Sequence, residues 1–205
     1  DVLVNDQLNG FYPTLPFSDL KAVETMLDFI PEGSILHMGN SSVVRYCQLF
    51  DPISTIDYYS NRGTSGIDGS TSTAIGAASV SEEQVVFITG DISFFYDSNA
   101  LWNKYITTNF RIIVINNGAH ESVGGQPTVG FNIDIPAIAI ANKYKSAIRV
   151  TSKEELIAAL QNIDNDAGPA LIEVMTRTGS RDNLGRPTIK PVDNKKNFMN
   201  NLAKK

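Results

Sequence analysis

The sequence holds one cysteine, Cys47, and two histidines, His37 and His120, among 205 residues. A single thiol excludes an internal disulfide framework and any zinc or iron-sulfur site built from several cysteines, which makes a reducing cytoplasm the default expectation. With two histidines, a hydrolase triad would have to use His37 or His120. An excess of basic charge is also lacking. Seventeen Lys and Arg stand against 22 Asp and Glu, and the net charge of −5 is scattered along the chain. That balance argues against a nucleic-acid surface, and it is too small on too apolar a chain for disorder. No run approaches the roughly 18–20 apolar residues that a membrane span requires, and no basic and apolar leader is present, so a soluble protein without a membrane partner is expected. The phosphate loop, the dinucleotide turn, the H-E-x-x-H zinc site and the G-x-S-x-G nucleophile elbow are all missing. The chain opens on Asp1 rather than methionine, which raises the expectation that it is part of something longer.

What is present suffices for a core: 42% of the residues are hydrophobic and 15 more are glycine. Three runs, QVVFIT (84–89), RIIVIN (111–116) and ALIEVM (170–175), are almost continuous in Val, Ile, Leu and Phe rather than alternating. Strands covered on both faces look like this. Further strands are expected over 34–38, 55–59 and 147–150. Residues 18–30 place Leu20, Val23, Met26, Leu27 and Ile30 on one helical stripe, and a helix over 151–163 opens with Thr151-x-x-Glu154, the spacing of a capping box. The sum is an α/β fold, a doubly wound, mainly parallel sheet of about six strands with helices on both faces. Residues 1–16, with Gly10, Pro13 and Pro16, read as a linker or arm, leaving 17–205 as one domain. Residues 176–193 look irregular, and a last short helix is expected over 194–203.

In such sheets ligands bind beyond the carboxyl ends of the strands, so the loops after Met38, Tyr59, Thr89 and Asn116 carry the candidates. The first, Gly39-Asn40-Ser41-Ser42-Val43-Val44-Arg45, leads small polar groups into a helix whose amides could hold an anion. The second runs from Ser60 to Gly69, with glycines at 63, 66 and 69. Either could also be an ordinary capped turn. In the third and fourth, Gly90-Asp91-Ile92-Ser93 follows one buried strand and Asn116-Asn117 ends the next, with Asn117 lying 26 positions after Asp91. A carboxylate and an amide oxygen at adjacent strand ends suit a hard cation such as Mg²⁺. His37, inside an apolar run, reads as a core or sheet-edge residue, and Cys47 as a packing residue. Phe94, Phe95, Tyr96 and Trp102 also read most simply as packing. Arg181 and Arg186 could meet an anionic substrate or simply be solvated.

Gly90-Asp91 followed by Asn116-Asn117 resembles the signature of the thiamin-diphosphate enzymes, a Gly-Asp-x followed some two dozen residues later by Asn-Asn. That resemblance implies thiamin diphosphate and Mg²⁺ as cofactors. It gives Asp91, the side chain of Asn117 and the backbone carbonyl of Ala119 as metal ligands, and Asn40, Ser41, Ile67, Gly90, Asp91, Ile92, Ser93 and Asn117 as cofactor contacts. Ile92 stands where the Gly-Asp-Gly form of the signature has its second glycine. From about Leu15 to Asn117, the segments LPFSDLKAVETMLDFIPEGSILHMGNSSVVRYCQLF, SNRGTSGIDGSTSTAIGAA and GDISFFYDSNALWN resemble the SEPHCHC synthases of menaquinone biosynthesis. In that family the positions of Ser41, Arg45 and Arg62 face the carboxylates of 2-oxoglutarate and isochorismate. The position of Ile67 wedges under the thiazolium, a catalytic role.

From Asn116 onward, NNGAHESVGGQPTVGF, PALIEV and GSRDNLGRPTIKPVDNKKNFM resemble phosphonopyruvate decarboxylase and its sulfopyruvate relative. The apolar, Phe-containing loop that a synthase carries at that point is absent. Under this second resemblance His120, with Glu121 nearby, is a candidate proton donor or substrate-carboxylate contact, the alternative being a surface-loop histidine. Both resemblances imply decarboxylation of a 2-oxo acid substrate. They differ in the step after CO₂ is lost, which is addition to isochorismate in the first and protonation to an aldehyde in the second. The glutamate that activates the cofactor's aminopyrimidine comes, in this superfamily, from a separate pyrimidine-binding domain. A partner domain or subunit, a homo- or hetero-oligomer, and inactivity of this chain alone are therefore expected. The opposing class is a non-catalytic, isolated or chimeric fold module.

Overall fold

The computed structural model describes residues 17–162, 168–179 and 189–203. The expected arm over 1–16 and the two candidates Arg181 and Arg186 lie outside the described residues. Six strands form one sheet: β1 Ile35–Met38, β2 Asp57–Tyr59, β3 Val85–Gly90, β4 Phe110–Asn116, β5 Ser146–Val150 and β6 Ala170–Met175. Their order is β2-β1-β3-β4-β6-β5, and every pair is parallel. All six coincide with the sequence expectations to within a residue or two.

The described residues hold seven helices, the first six of them packed around the sheet: α1 Asp19–Leu27, α2 Ser42–Cys47, α3 Ser70–Val80, α4 Asp91–Tyr96, α5 Ile135–Ala141, α6 Lys153–Leu160 and the exposed α7 Pro191–Leu202. The continuous apolar runs have two faces to fill. In β3, Val86 and Ile88 point into a core with α1, α2 and α6, while Val85 and Phe87 point into a second core with α3, α4 and α5. β4 divides the same way, with Ile113 and Ile115 on one side and Ile112 and Val114 on the other. Each such side chain contributes roughly 1.5–3 kcal/mol by leaving water, which is why the middle strands carry no polar alternation.

Some expectations are corrected in detail. The capping box sits one residue further on. Ser152 is the N-cap of α6 and accepts from Glu155 N, while Glu155 Oε2 accepts from Thr151 N at 2.7 Å and Thr151 Oγ1 at 3.0 Å. The last helix starts at Pro191, three residues early, because proline at the first helical position has no amide to leave unpaired. Trp102 and Tyr96 are not packing residues; they are 72% and 62% exposed. Phe94 is fully buried and Phe95 packs partly against the second core, as expected. His37 is a buried sheet residue stacked on Tyr59, and burial holds its pKa below the ordinary imidazole value. Among the described residues no helix is long and apolar enough to cross a membrane.

Cys47 lies in the first core, and burial pushes its thiol up to about 12. At pH 8 only on the order of one molecule in ten thousand then carries the reactive thiolate. The native chain is expected to resist a disulfide reagent such as DTNB at pH 8 and to react with one equivalent after unfolding. Prompt reaction of the folded chain would contradict this packing.

The strand order places the site. From β1 the chain steps outward to β2, then returns to the other side of β1 to build β3, β4, β6 and β5. The switch point lies between β1 and β3, where the connections leave in opposite directions and open a crevice at the carboxyl ends. Gly39, just past β1, keeps that crevice tight. A Cβ there would lie 2.9 Å from Thr89 Oγ1 and 3.1 Å from Thr89 Cα.

Candidate functional site

A cavity of about 290 Å³ opens at this switch point. The four loops singled out by the sequence converge on it. Its walls include Asn40, Ser41, Arg45, Arg62, Ile67, Gly90, Asp91, Ile92, Ser93, Asn117, Ala119 and His120, together with Asp19 and Glu121. Apart from Arg181 and Arg186, which lie outside the described residues, the candidate ligand-contacting residues named from the sequence lie on one cavity, although they come from four separate stretches of chain.

Asp91 is the first residue of α4, directly after β3, and is 4% exposed. Burial raises its carboxyl pKa. The Thr128 hydroxyl, the backbone amides of Ile92 and Asp91, and the nearby His120 oppose that shift. Thr128 Oγ1 donates to Asp91 Oδ2 at 2.7 Å, and Gly130 N donates to Thr128 Oγ1 at 3.0 Å. The segment after Asn117 thus folds back over the carboxylate.

The two asparagines do different work. Asn116, fully buried, donates from Nδ2 to Gly130 O and to Glu173 Oε1, both at 2.8 Å, and its Oδ1 accepts from Gly118 N. Glu173 is itself buried in β6 and accepts from Arg149 Nε at 2.7 Å. Asn116 is a fastener for the 118–130 loop. Asn117 donates from Nδ2 to Asp19 Oδ2 at 2.7 Å, and its Oδ1 accepts from Ala119 N at 3.0 Å. Asp19 also accepts from Thr176 Oγ1 at 2.5 Å. Burial pushes Asp19 up to about 6 against those two hydrogen bonds, with Glu121 and Asp91 adding repulsion.

On the other wall, Asn40 organises the Ser60 to Gly69 loop. Its Nδ2 donates to Asn61 O at 2.8 Å and Gly66 O at 2.5 Å, while its Oδ1 accepts from Arg62 Nη1 at 2.9 Å. Ser93 Oγ donates to the Ile67 carbonyl at 2.6 Å, which ties Ile67 to α4. Ser41 adopts φ 77°, a conformation that L residues rarely take, and its hydroxyl meets that of Ser122 from the loop opposite. Strain of this kind persists where the surroundings enforce it and concentrates at functional sites. Arg45 and Arg62 are exposed on the cavity wall, and neither forms a salt bridge among the described residues. Both are available to a ligand carboxylate. His120 is half-buried at the rim, and Glu121 Oε1 accepts from Gly179 N at 2.6 Å, so the segment after β6 also closes on this site.

The donor set suits a hard cation accompanied by an anion: one carboxylate, one amide oxygen and a backbone carbonyl, from Asp91, Asn117 and Ala119. No three His, Cys, Asp or Glu side chains gather as a metal site among the described residues, so further oxygens must come from the ligand or water. The two arginines could pair with such an anion.

Known proteins with the same fold and sequence pattern identify the family. Residues 37–174 match the family described as thiamine pyrophosphate enzyme, C-terminal TPP binding domain. The chain belongs to that family. Among curated relatives of this thiamin diphosphate-binding domain, a 2-succinyl-5-enolpyruvyl-6-hydroxy-3-cyclohexene-1-carboxylate (SEPHCHC) synthase of Christiangramia forsetii is 44% identical over 174 residues, covering 79% of this chain and 30% of the relative. The synthase of Flavobacterium johnsoniae is 45% identical over 180 residues, covering 81% and 32%. That of Flavobacterium psychrophilum is 60% identical over 110 residues, covering 54% and 20%. The domain thus spans about a third of the length of the Christiangramia forsetii and Flavobacterium johnsoniae relatives. A solved structure from Mycobacterium smegmatis, assigned to the thiamin diphosphate-dependent enzymes, superposes with a TM-score of 0.62 at 21% identity, covering 79% of this chain and 32% of that one. At that identity the likeness shows the shared fold.

Sequence reasoning missed Asp19, Thr128, Gly130, Thr176 and Ser122. None carries a local motif. Glu173 did carry a signal, since it is the one charge inside an apolar strand covered on both faces.

Proposed function

We propose that this domain is the diphosphate- and Mg²⁺-binding part of a SEPHCHC synthase-like enzyme that decarboxylates 2-oxoglutarate and joins the product to isochorismate. The observation that carries this reading is the placement of Arg45 and Arg62, without salt bridges among the described residues, on the same cavity as Asp91 and Asn117. Two guanidinium groups suit substrates that bring several carboxylates, because each can bind one through paired, charge-assisted hydrogen bonds. The names of the relatives support the same choice.

In this reading Asp91, Asn117 and the Ala119 carbonyl hold Mg²⁺, and the α4 amides bind the diphosphate. When bound, the cofactor supplies the electron sink for loss of CO₂ from a 2-oxo acid. Ile67 presents an apolar side chain to the cofactor, held in place by Ser93. Ser41, Arg45 and Arg62 orient the substrate carboxylates, and His120 stands at the rim as a proton donor or carboxylate contact. A pyrimidine-binding domain or subunit completes the site, the chain alone is inactive, and the setting is a reducing cytoplasm. Combined with such a partner, the chain should release CO₂ from 2-oxoglutarate and consume isochorismate. Arg45→Ala and Arg62→Ala are each expected to raise KM for a carboxylated substrate about 10- to 100-fold, the value of a lost charge-assisted hydrogen bond. Turnover of phosphonopyruvate to an aldehyde, with 2-oxoglutarate ignored, would overturn the proposal.

That second outcome has one structural argument. The loop resembling the phosphonopyruvate and sulfopyruvate decarboxylases brings His120 and Ser122 onto the cavity, with Ser122 hydrogen bonded to Ser41.

A further inference from the structure

We propose that Asp19 is a positioning residue for the cation site: it selects the rotamer of Asn117 that turns the amide oxygen, rather than the amide nitrogen, toward the metal. The inference rests on the reading of Asp91, Asn117 and Ala119 as the cation's ligands. An asparagine amide has a donor end and an acceptor end of nearly equal shape, and only the oxygen can ligate a cation. Something must distinguish the two ends, and a carboxylate, which accepts hydrogen bonds, does so.

Asp19 Oδ2 takes the Nδ2 donor of Asn117 at 2.7 Å, which leaves Oδ1 on the opposite side. There Oδ1 accepts from Ala119 N at 3.0 Å and closes a turn that also fixes the backbone leading to the Ala119 carbonyl. The two remaining protein ligands are thus set by one contact. Asp19 is in turn held. It is 8% exposed, it sits in the first turn of α1 where the helix dipole favours an anion, and its other oxygen accepts from Thr176 Oγ1. Thr176 N bonds Asn116 O, so the residue that braces Asp19 hangs from the strand end that carries Asn117. Both Asp19 oxygens are engaged, which makes its action on the cation indirect, through Asn117. The contact joins residues 98 positions apart, and neither neighbourhood announces it.

The test compares the parent chain with Asp19→Ala, Asp19→Asn and Asn117→Ala by calorimetric titration of thiamin diphosphate in excess Mg²⁺. In parallel, the side-chain amide resonances of Asn117 are followed by ¹⁵N NMR in the metal-free chain. Asp19→Ala should weaken binding about 10- to 100-fold, the usual cost of removing a group that orients a metal ligand. It should add nothing in an Asn117→Ala background. Asp19→Asn keeps an acceptor for Nδ2 and should retain most of the affinity. In the metal-free chain Asp19→Ala should shift the Asn117 amide signals, a readout independent of the cofactor. If the parent shows no Mg²⁺-dependent binding even with the pyrimidine-binding partner supplied, the reading of the site fails and the NMR comparison still decides the rotamer. Unchanged Asn117 signals in Asp19→Ala, or a loss in Asp19→Asn as large as that of Asn117→Ala, would overturn the inference. The latter comparison stands even if Asp19→Ala does not fold.

Discussion

Asp91→Ala is expected to abolish Mg²⁺-dependent binding of thiamin diphosphate while leaving the sheet folded. Of the three protein oxygens assigned to the cation, only Asp91 brings a full negative charge, and a hard cation facing a diphosphate depends on such a ligand. The remaining amide and carbonyl oxygens are neutral and cannot replace it. The fold should tolerate the change because Asp91 stands at a strand end, outside both apolar cores. Its carboxylate is already disfavoured by burial, as the raised pKa records. What is lost is the acceptor for Thr128 and for two backbone amides, a cost of about 1–3 kcal/mol that relief of the buried charge partly offsets. Calorimetry with excess Mg²⁺ and thermal unfolding of the same sample separate the two effects. An affinity equal to that of the parent would remove Asp91 from the site.

Gly130→Ala is expected to damage the same site from the opposite direction. A Cβ on Gly130 would fall well inside van der Waals contact of Asp91 Oδ2 and Asn116 Oδ1. Neither atom can swing away: Asp91 is tied to Thr128, and Asn116 is tied to Glu173 and to Gly130's own carbonyl. The loop must lift instead, which breaks the Thr128 to Asp91 bond. Overpacking of this kind costs about 1–3 kcal/mol, and a disturbed support for a metal ligand about 10- to 100-fold in affinity. Gly76 in α3 is the contrast, since a Cβ there meets nothing within 4 Å. Gly76→Ala should stabilise the domain by roughly 0.5–1 kcal/mol without touching affinity. Denaturant unfolding and calorimetry on both variants check the pair, and wild-type affinity in Gly130→Ala would contradict the packing.

The parts of this domain that were legible in the sequence are those that a local rule controls. The strands declared themselves because sheets covered on both faces need unbroken Val, Ile and Phe, as in VVFITG and FRIIVIN. Asp91 and Asn117 were legible as cavity residues because each directly follows a buried parallel strand at the carboxyl edge of the sheet. The capping box slipped by one because Thr151 and Ser152 both qualify, and only the backbone angles choose between them. Trp102 and Tyr96 were misjudged because aromatic character says nothing of which side of a short helix faces solvent. The supporting residues were out of reach for a different reason. Asp19 meets Asn117, and Thr128 meets Asp91, only after the sheet has brought distant segments together. In a linear reading Asp19 is an ordinary first-turn acid and Thr128 an ordinary loop hydroxyl.

The most direct measurement is calorimetric titration of thiamin diphosphate into the chain, first with Mg²⁺ and then with EDTA. Saturable binding with Mg²⁺ that vanishes in EDTA is the expected result, because in the proposed site Asp91, Asn117 and the Ala119 carbonyl reach the diphosphate only through the cation. Binding that is indifferent to EDTA, or no binding in the presence of Mg²⁺ even when the pyrimidine-binding partner is supplied, would contradict the assignment of the site.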